Sequence, residues 1–297
     1  MIHVSNVNKY FDKFQALNDL NMHVPKGSIY GLVGPNGAGK TTIIRHLTGV
    51  YRQDSGHILV DGQPIFENAA MKQRIAYIPD DAFFFTSAGI NEMKKYYKGI
   101  YPQFDLDRFE KLHEAFPLDV KRPMRRLSKG MQKQAMFWLS LCIRPDLMIL
   151  DEPVDGLDPV MRRQVWSLIM EDVAERGTTV LVSSHNLREL EDVCDHVGVM
   201  HKGSLLFEHA LTELQDNISK VQLVLNEGGS LPENLDILHT STTGRIQTLI
   251  VRGAQEETQA RIAACNPLFF DLIPLSLEEI FVYELGGADY EIKSIIL

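Results

Sequence analysis

An α/β chain built on a buried parallel sheet is predicted by three observations. Ser28-Ile29-Tyr30-Gly31-Leu32-Val33 reads as a buried strand that enters the glycine-rich turn Gly34-Pro35-Asn36-Gly37-Ala38-Gly39-Lys40-Thr41, and Thr42-Ile43-Ile44-Arg45-His46-Leu47 continues as a helix. Leu147-Met148-Ile149-Leu150 is a second apolar strand, closed by Asp151-Glu152-Pro153. Thr179-Val180-Leu181-Val182-Ser183 is a third, ending in Ser184-His185. Continuous apolar strands of this kind belong to a sheet covered on both faces, and ligands in open α/β sheets sit at the carboxyl ends of the strands.

The turn has the spacing G-x-x-x-x-G-K-[ST], in which backbone N–H groups cradle nucleotide phosphates. Lys40 then reaches the terminal phosphates, the Thr41 hydroxyl holds Mg²⁺, and the helix N-terminus points its unpaired amides at the anion.

A chain of 297 residues holds one large domain, or a main domain with a smaller appendage. With 44% apolar and 23% charged residues its composition is that of an ordinary globular protein, and a formal net charge of −9 argues against general attraction to nucleic acid or anionic lipid. Cys142, Cys194 and Cys265 are widely spaced and odd in number, which supports neither a disulfide framework nor a zinc ribbon. No apolar run approaches the ~18 residues of a spanning helix. Met1-Ile2-His3-Val4 has no secretory pattern, so work at a membrane requires another chain to hold this one there.

In chain order, Met1 to about Val24 carries alternating apolar runs (Ile2, Val4, Val7, then Leu20, Met22, Val24), the pattern of an antiparallel ribbon. Gly56 to Gly62 adds a strand entering a turn. Tyr10 fits either a base-stacking aromatic or a core residue of this small sheet. Arg74 to Pro79 reads as a strand stopped by proline, followed by Asp80-Asp81 and Ala82-Phe83-Phe84-Phe85, a run that is either core or docking surface. From about Ser87 to Pro123, helical stretches (Asn91 to Lys98, Asp107 to Phe116) alternate with Tyr-Pro and Phe-Pro breaks, as in an inserted helical subdomain. Ser128 reads as the N-cap of a helix reaching about Arg144.

Asp151 and Glu152 fall at the phosphate end of the sheet, where one carboxylate can hold Mg²⁺ and the next can orient or deprotonate a water. After Asp155-Gly156-Leu157-Asp158-Pro159 a helix spans Val160 to Glu175. His185 reaches the same sheet edge, as a phosphate contact or as a structural histidine. A helix from Leu187 to Cys194 and strands Val197 to Met200 and Ser204 to Phe207 close the main unit near Leu214. Strand-like segments (Val221 to Leu225, Leu235 to His239, Gln247 to Val251, Leu268 to Ile273) and helices (Glu256 to Ala264, Ser276 to about Leu285) form a small α+β appendage without a catalytic motif.

Read in order, the loop Gly34 to Thr42, Leu127-Ser128-Lys129-Gly130-Met131, the strand ending in Asp151-Glu152, Asp158 and His185 resemble the ATP-binding cassette (ABC) ATPases over about Met1 to Leu214. The resemblance implies an α/β P-loop NTPase core with an antiparallel β subdomain and an inserted helical subdomain at about 87–145. It divides the chain into a cassette at 1–214 and a small C-terminal α+β domain at 215–297. It further implies that the amides of Asn36, Gly37, Ala38, Gly39, Lys40, Thr41 and Thr42 bind the phosphates of ATP. Thr41 and Asp151, joined by Asp80, hold Mg²⁺, and Tyr10 stacks on adenine. Glu152 polarises the attacking water, His185 holds the γ-phosphate and Asp158 takes the D-loop position in the nucleotide site. Ser128 and Gly130 serve the nucleotide of a second cassette in a head-to-tail homo- or heterodimer.

The implied function is the ATPase subunit of a bacterial-type transporter, at the cytoplasmic face of the membrane, driving a separate transmembrane permease subunit. Phe83-Phe84-Phe85 lies where the family receives its partner's coupling helix. The ending Pro274-Leu275-Ser276-Leu277-Glu278-Glu279-Ile280-Phe281 looks like that of exporters of lipids, antibiotics or peptides. Asp80 departs from the family's usual glutamine, replacing an amide donor by an acceptor-only carboxylate, and Lys129 and Met131 stand where glycine and glutamine are common. A soluble cassette acting on ribosomes or DNA is disfavoured by the single cassette, the missing coiled-coil insertion and the acidic charge. A GTPase is disfavoured because no N-K-x-D follows the loop, and a purely regulatory module would lack hydrolysis.

Overall fold

The computed structural model describes residues 1–81, 84–85, 87–226, 230–232 and 234–285; Phe83, within the phenylalanine run, lies outside them. Contacts divide the chain into two compact units, Met1–His185 with Val193–Glu208, and Asn186–Asp192 with the chain from His209 onward.

The first unit opens on the predicted ribbon, β1 (Ile2–Phe11) antiparallel to β2 (Phe14–Val24). The buried strand β3 (Ile29–Val33) runs into the glycine-rich loop and then α1 (Lys40–Leu47). β4 (Ser55–Val60) pairs with β1, the short β5 (Gln63–Pro64) pairs with β4, and α2 (Ala69–Lys72) leads to β6 (Ile75–Ile78). Then come α3 (Ile90–Ile100), α4 (Leu106–Ala115), α5 (Lys129–Cys142), β7 (Leu147–Asp151), α6 (Pro159–Arg176) and β8 (Thr179–Ser184).

β3, β6, β7 and β8 join β9 (His196–His201) in one parallel array, and the hairpin strand β10 (Ser204–Ala210) extends it in the order β10-β9-β3-β8-β7-β6. One apolar core fills the space around α1: Ile43, Ile44 and Leu47 pack with Leu17 and Leu20 of the ribbon and with Leu32, Ile149 and Leu181 of the parallel sheet. The helix that follows the loop is therefore held between the antiparallel ribbon and the parallel sheet.

The helical segment has its own aromatic centre. Trp138 of α5 is fully buried, donates its indole N–H to the Phe109 carbonyl at 2.9 Å, and stacks on Phe109 with ring centroids 4.5 Å apart. Of the phenylalanine run, Phe84 is buried and Phe85 exposed, its ring edge-on to Tyr96 at 5.1 Å. Arg108 of α4 reaches Asp172 of α6 at 2.6 Å, with both side chains largely buried.

The second unit holds α7 (Arg188–Glu191), α8 (Leu211–Asn217), β11 (Ile218–Val224), β12 (Asp236–Thr243), β13 (Ile246–Arg252), α9 (Gln255–Ala264), β14 (Phe269–Ile273) and α10 (Leu277–Leu285). Its sheet has the order β12-β13-β11-β14 and packs Val221, Leu223, Leu249 and Val251 against Ile262 of α9. Two helices differ from expectation. The predicted Leu187 to Cys194 helix stops at Glu191, because Glu189, Glu191 and Asp192 place carboxylates where a helix C-terminus disfavours them. α8 has only seven residues, too few for its Leu211 and Leu214 to show a helical period.

The buried Arg108–Asp172 pair yields a stability prediction. Arg108→Met strands a carboxylate that is 3% exposed and should cost on the order of 3 kcal/mol in denaturant melts, whereas Arg108→Met with Asp172→Leu should recover most of it.

Candidate active site

The loop between β3 and α1 owes its shape to glycine and to its neighbours. Gly39 has φ 107°, and a Cβ there would lie 2.9 Å from the Ala16 carbonyl oxygen. The Ala38 carbonyl accepts from the Gly203 N–H at 2.9 Å, pinning the loop to the β9–β10 turn. Lys40 is 6% exposed and donates its Nζ to the Gly34 carbonyl at 2.6 Å. Burial pushes its pKa down, and the nearby carboxylates of Glu152 and Asp151 oppose that shift.

Parallel pairing of β3, β8 and β7 brings three strand ends together. Asp151, 3% exposed, accepts from Thr41 Oγ1 at 3.1 Å and from Ser183 Oγ at 2.6 Å. Glu152 follows in a left-handed conformation, φ 46°, which lets its N–H reach the Ser183 carbonyl at 3.2 Å while its side chain turns along the sheet edge. There Oε1 lies 3.7 Å from Lys40 Nζ and Oε2 lies 3.0 Å from His185 Nδ1. Burial raises the Glu152 pKa, and His185 and Lys40 pull against the rise. A carboxylate so placed is the kind of group that takes a proton from water.

These residues surround a cavity of about 300 Å³ lined by Asn36, Gly37, Gly39, Lys40, Thr41 and Thr42 of the loop, together with Asp80, Asp151 and Glu152. Ala38 is buried beneath the loop. The Thr41 hydroxyl and Asp151 carboxylate, side by side at the cavity wall, form an all-oxygen donor pair suited to Mg²⁺.

Other predicted site residues lie apart from the cavity lining. Tyr10 is 46% exposed on β1, with its N–H bound by Asp54 Oδ2 at 2.7 Å; the aromatic that lines the cavity is Phe14, across the Asp12-Lys13 turn. Ser128 caps α5 by accepting the Met131 N–H at 3.3 Å, and Asp158 caps α6 by accepting from Val160 and Met161, both at 3.0 Å. Gly130 sits against the loop before α6, where a Cβ would lie 2.6 Å from the Gly156 carbonyl oxygen.

Phe14 and Asp155 escaped the sequence reading. Phe14 signals itself only as a second aromatic beyond a short turn. Asp155 joins Glu152 and His185, with ligand atoms of the three all within 4.8 Å of one another. Its signal was its position three residues after Glu152, which a bend in the chain had to make meaningful. Among the described residues, no helix is long and apolar enough to cross a membrane.

Comparison with known proteins gives the family. The family described as ABC transporter matches residues 17–155. "ABC transporter ATP-binding protein YtrB" of Bacillus subtilis is 33% identical over 97% of this chain and 99% of its own length. "Lantibiotic transport ATP-binding protein SrtF" of Streptococcus pyogenes is 33% identical over 70% of this chain and 90% of its own. A solved "ATP binding subunit of ABC transporter" superposes with a TM-score of 0.68 at 26% identity, covering 72% of this chain and 92% of that one. The chain belongs to the ABC transporter ATP-binding proteins, and it is an ATPase.

The tight approach at Gly130 is testable. Gly130→Ala must move either the start of α5 or the Gly156 loop, so its melting temperature should fall, by about 1–3 kcal/mol of stability. An unchanged melting curve contradicts the contact.

Proposed function

We propose that this ABC ATPase powers export of a peptide, antibiotic or lipid substrate through a separate transmembrane permease subunit at the cytoplasmic face of the membrane. The observation that carries the catalytic part is the seat of Glu152, held between Lys40 and His185 at the mouth of the phosphate loop. Loop amides and Lys40 bind the phosphates. Thr41 and Asp151 hold Mg²⁺, with Asp80 facing the same cavity. The bound metal would neutralise charge on the phosphate oxygens. Glu152 orients the water and accepts its proton, His185 positions the Glu152 carboxylate and contacts the γ-phosphate, and a base stacks on Tyr10 or, by its place at the cavity, on Phe14.

Ser128, Gly130 and Asp158 stand outside the cavity of their own chain, in keeping with service to the nucleotide of a second, head-to-tail cassette. Dimer closure on ATP would then be the motion delivered to the permease. The export reading draws on the SrtF likeness, whose name speaks of lantibiotic transport, and on the Pro274 to Phe281 ending.

Two experiments test the proposal. Glu152→Gln should keep ATP affinity within about threefold and lower turnover by 100-fold or more, the scale of lost general-base catalysis; native turnover in that variant removes Glu152 from the reaction. Purification of the tagged chain from solubilised membranes should bring down a multi-span protein, and a yield of soluble partners alone defeats the transporter assignment.

A further inference from the structure

Asp80 poses an electrostatic problem. It adds a third carboxylate to a cavity wall that already carries Asp151 and Glu152 and receives a polyanion. The answer lies on α5, five residues after Ser128. Lys133 is 6% exposed. Its Nζ donates to the backbone carbonyl of Glu152 at 2.5 Å and lies 3.5 Å from Asp80 Oδ1. One ammonium thus joins three segments: the capped helix behind Ser128, the chain leaving β6, and the left-handed residue Glu152.

We infer that Lys133 is a positioning residue for hydrolysis, supplying the counter-charge that lets Asp80 stand at the nucleotide cavity and fixing the backbone turn at Glu152. Burying an ammonium is unfavourable unless it is paired and hydrogen-bonded, and these two oxygens meet that demand. The positive-φ turn at Glu152 likewise needs its surroundings to hold it, and the Lys133 hydrogen bond grips its carbonyl. The two tasks separate chemically. Counter-charge requires the cation, whereas the carbonyl requires only a donor.

The inference rests on ATP occupying this cavity, and the test keeps the two apart. ATP affinity of the full-length chain is titrated in EDTA, and turnover is measured with Mg²⁺, for Lys133→Gln, Lys133→Met, Asp80→Asn and each lysine variant combined with Asp80→Asn. Lys133→Gln should weaken ATP binding about fivefold by removing a nearby cation. Asp80→Asn should tighten ATP binding about fivefold in the native background, where it frees the Lys133 cation, and restore most of the fivefold loss when Lys133 is Gln. Lys133→Met, which also loses the donor, should lower kcat about tenfold beyond Lys133→Gln, and Asp80→Asn should not rescue that loss. Thermal melts identify folded variants, and the Lys133→Gln cycle alone decides the counter-charge if Lys133→Met does not fold. Failure of Asp80→Asn to restore affinity in the Lys133→Gln background, or native affinity in Lys133→Gln, overturns the inference. A native chain that fails to bind ATP overturns the reading of the cavity instead.

Discussion

A carboxylate that is almost fully buried at the end of a strand has to be satisfied, and Asp151 sets terms that the surrounding structure meets. An unpaired charge there would cost several kcal/mol. The Thr41 hydroxyl on α1 and the Ser183 hydroxyl on β8 both reach it, so the first turn of α1 and the ends of two strands are held in one register. A one-residue slip between β7 and β8 would turn Ser183 to the other face and leave Asp151 without that partner. The same Ser183 receives the Glu152 N–H, which places the next carboxylate at the sheet edge beside Lys40 and His185. The placing of the loop, of Asp151 and of the Glu152 carboxylate follows from one buried charge and the hydroxyls that serve it.

Charge is distributed unevenly around this centre. The chain carries a formal net charge of −9, yet two buried lysines meet Glu152, Lys40 near its carboxylate and Lys133 at its carbonyl. Buried charges are screened less by salt than surface ones, so the local field at the loop is set by these lysines, by the carboxylates of Asp80, Asp151 and Glu152 and by the α1 N-terminus, with the distant acidic surface contributing little.

Much of this architecture was legible in the sequence, for identifiable reasons. The β3–loop–α1 unit announced itself because glycine spacing, a continuous apolar strand and a helical continuation all agree locally. Ser128 as an N-cap was legible because capping is a matter of three residues. The short α7 was overextended, since apolar spacing at Leu187 and Leu190 outweighed the carboxylates that end the helix. Phe14, Asp155 and Lys133 were not legible: each acquires its place at or beside the cavity only when separate strands and a helix are brought together. Lys133 in particular reads in sequence as one more solvated lysine on an amphipathic helix, and only its burial against Glu152 and Asp80 says otherwise.

The contact of Lys40 with the Gly34 carbonyl has a consequence for recognition. Lys40, the lysine proposed to meet the phosphates, is already engaged by the loop it belongs to, so the loop would act as an internal competitor for its own cation. Measured affinity is then a difference between two sets of contacts, and a ligand profits only by what it offers beyond a peptide carbonyl. Charge-assisted bonds to phosphate oxygens exceed that threshold, and neutral ligands of the same shape do not. On the proposed reading of the cavity, the self-bond would lower affinity for every ligand alike, and the charge-assisted bonds to phosphate would decide between nucleoside triphosphate and an uncharged mimic.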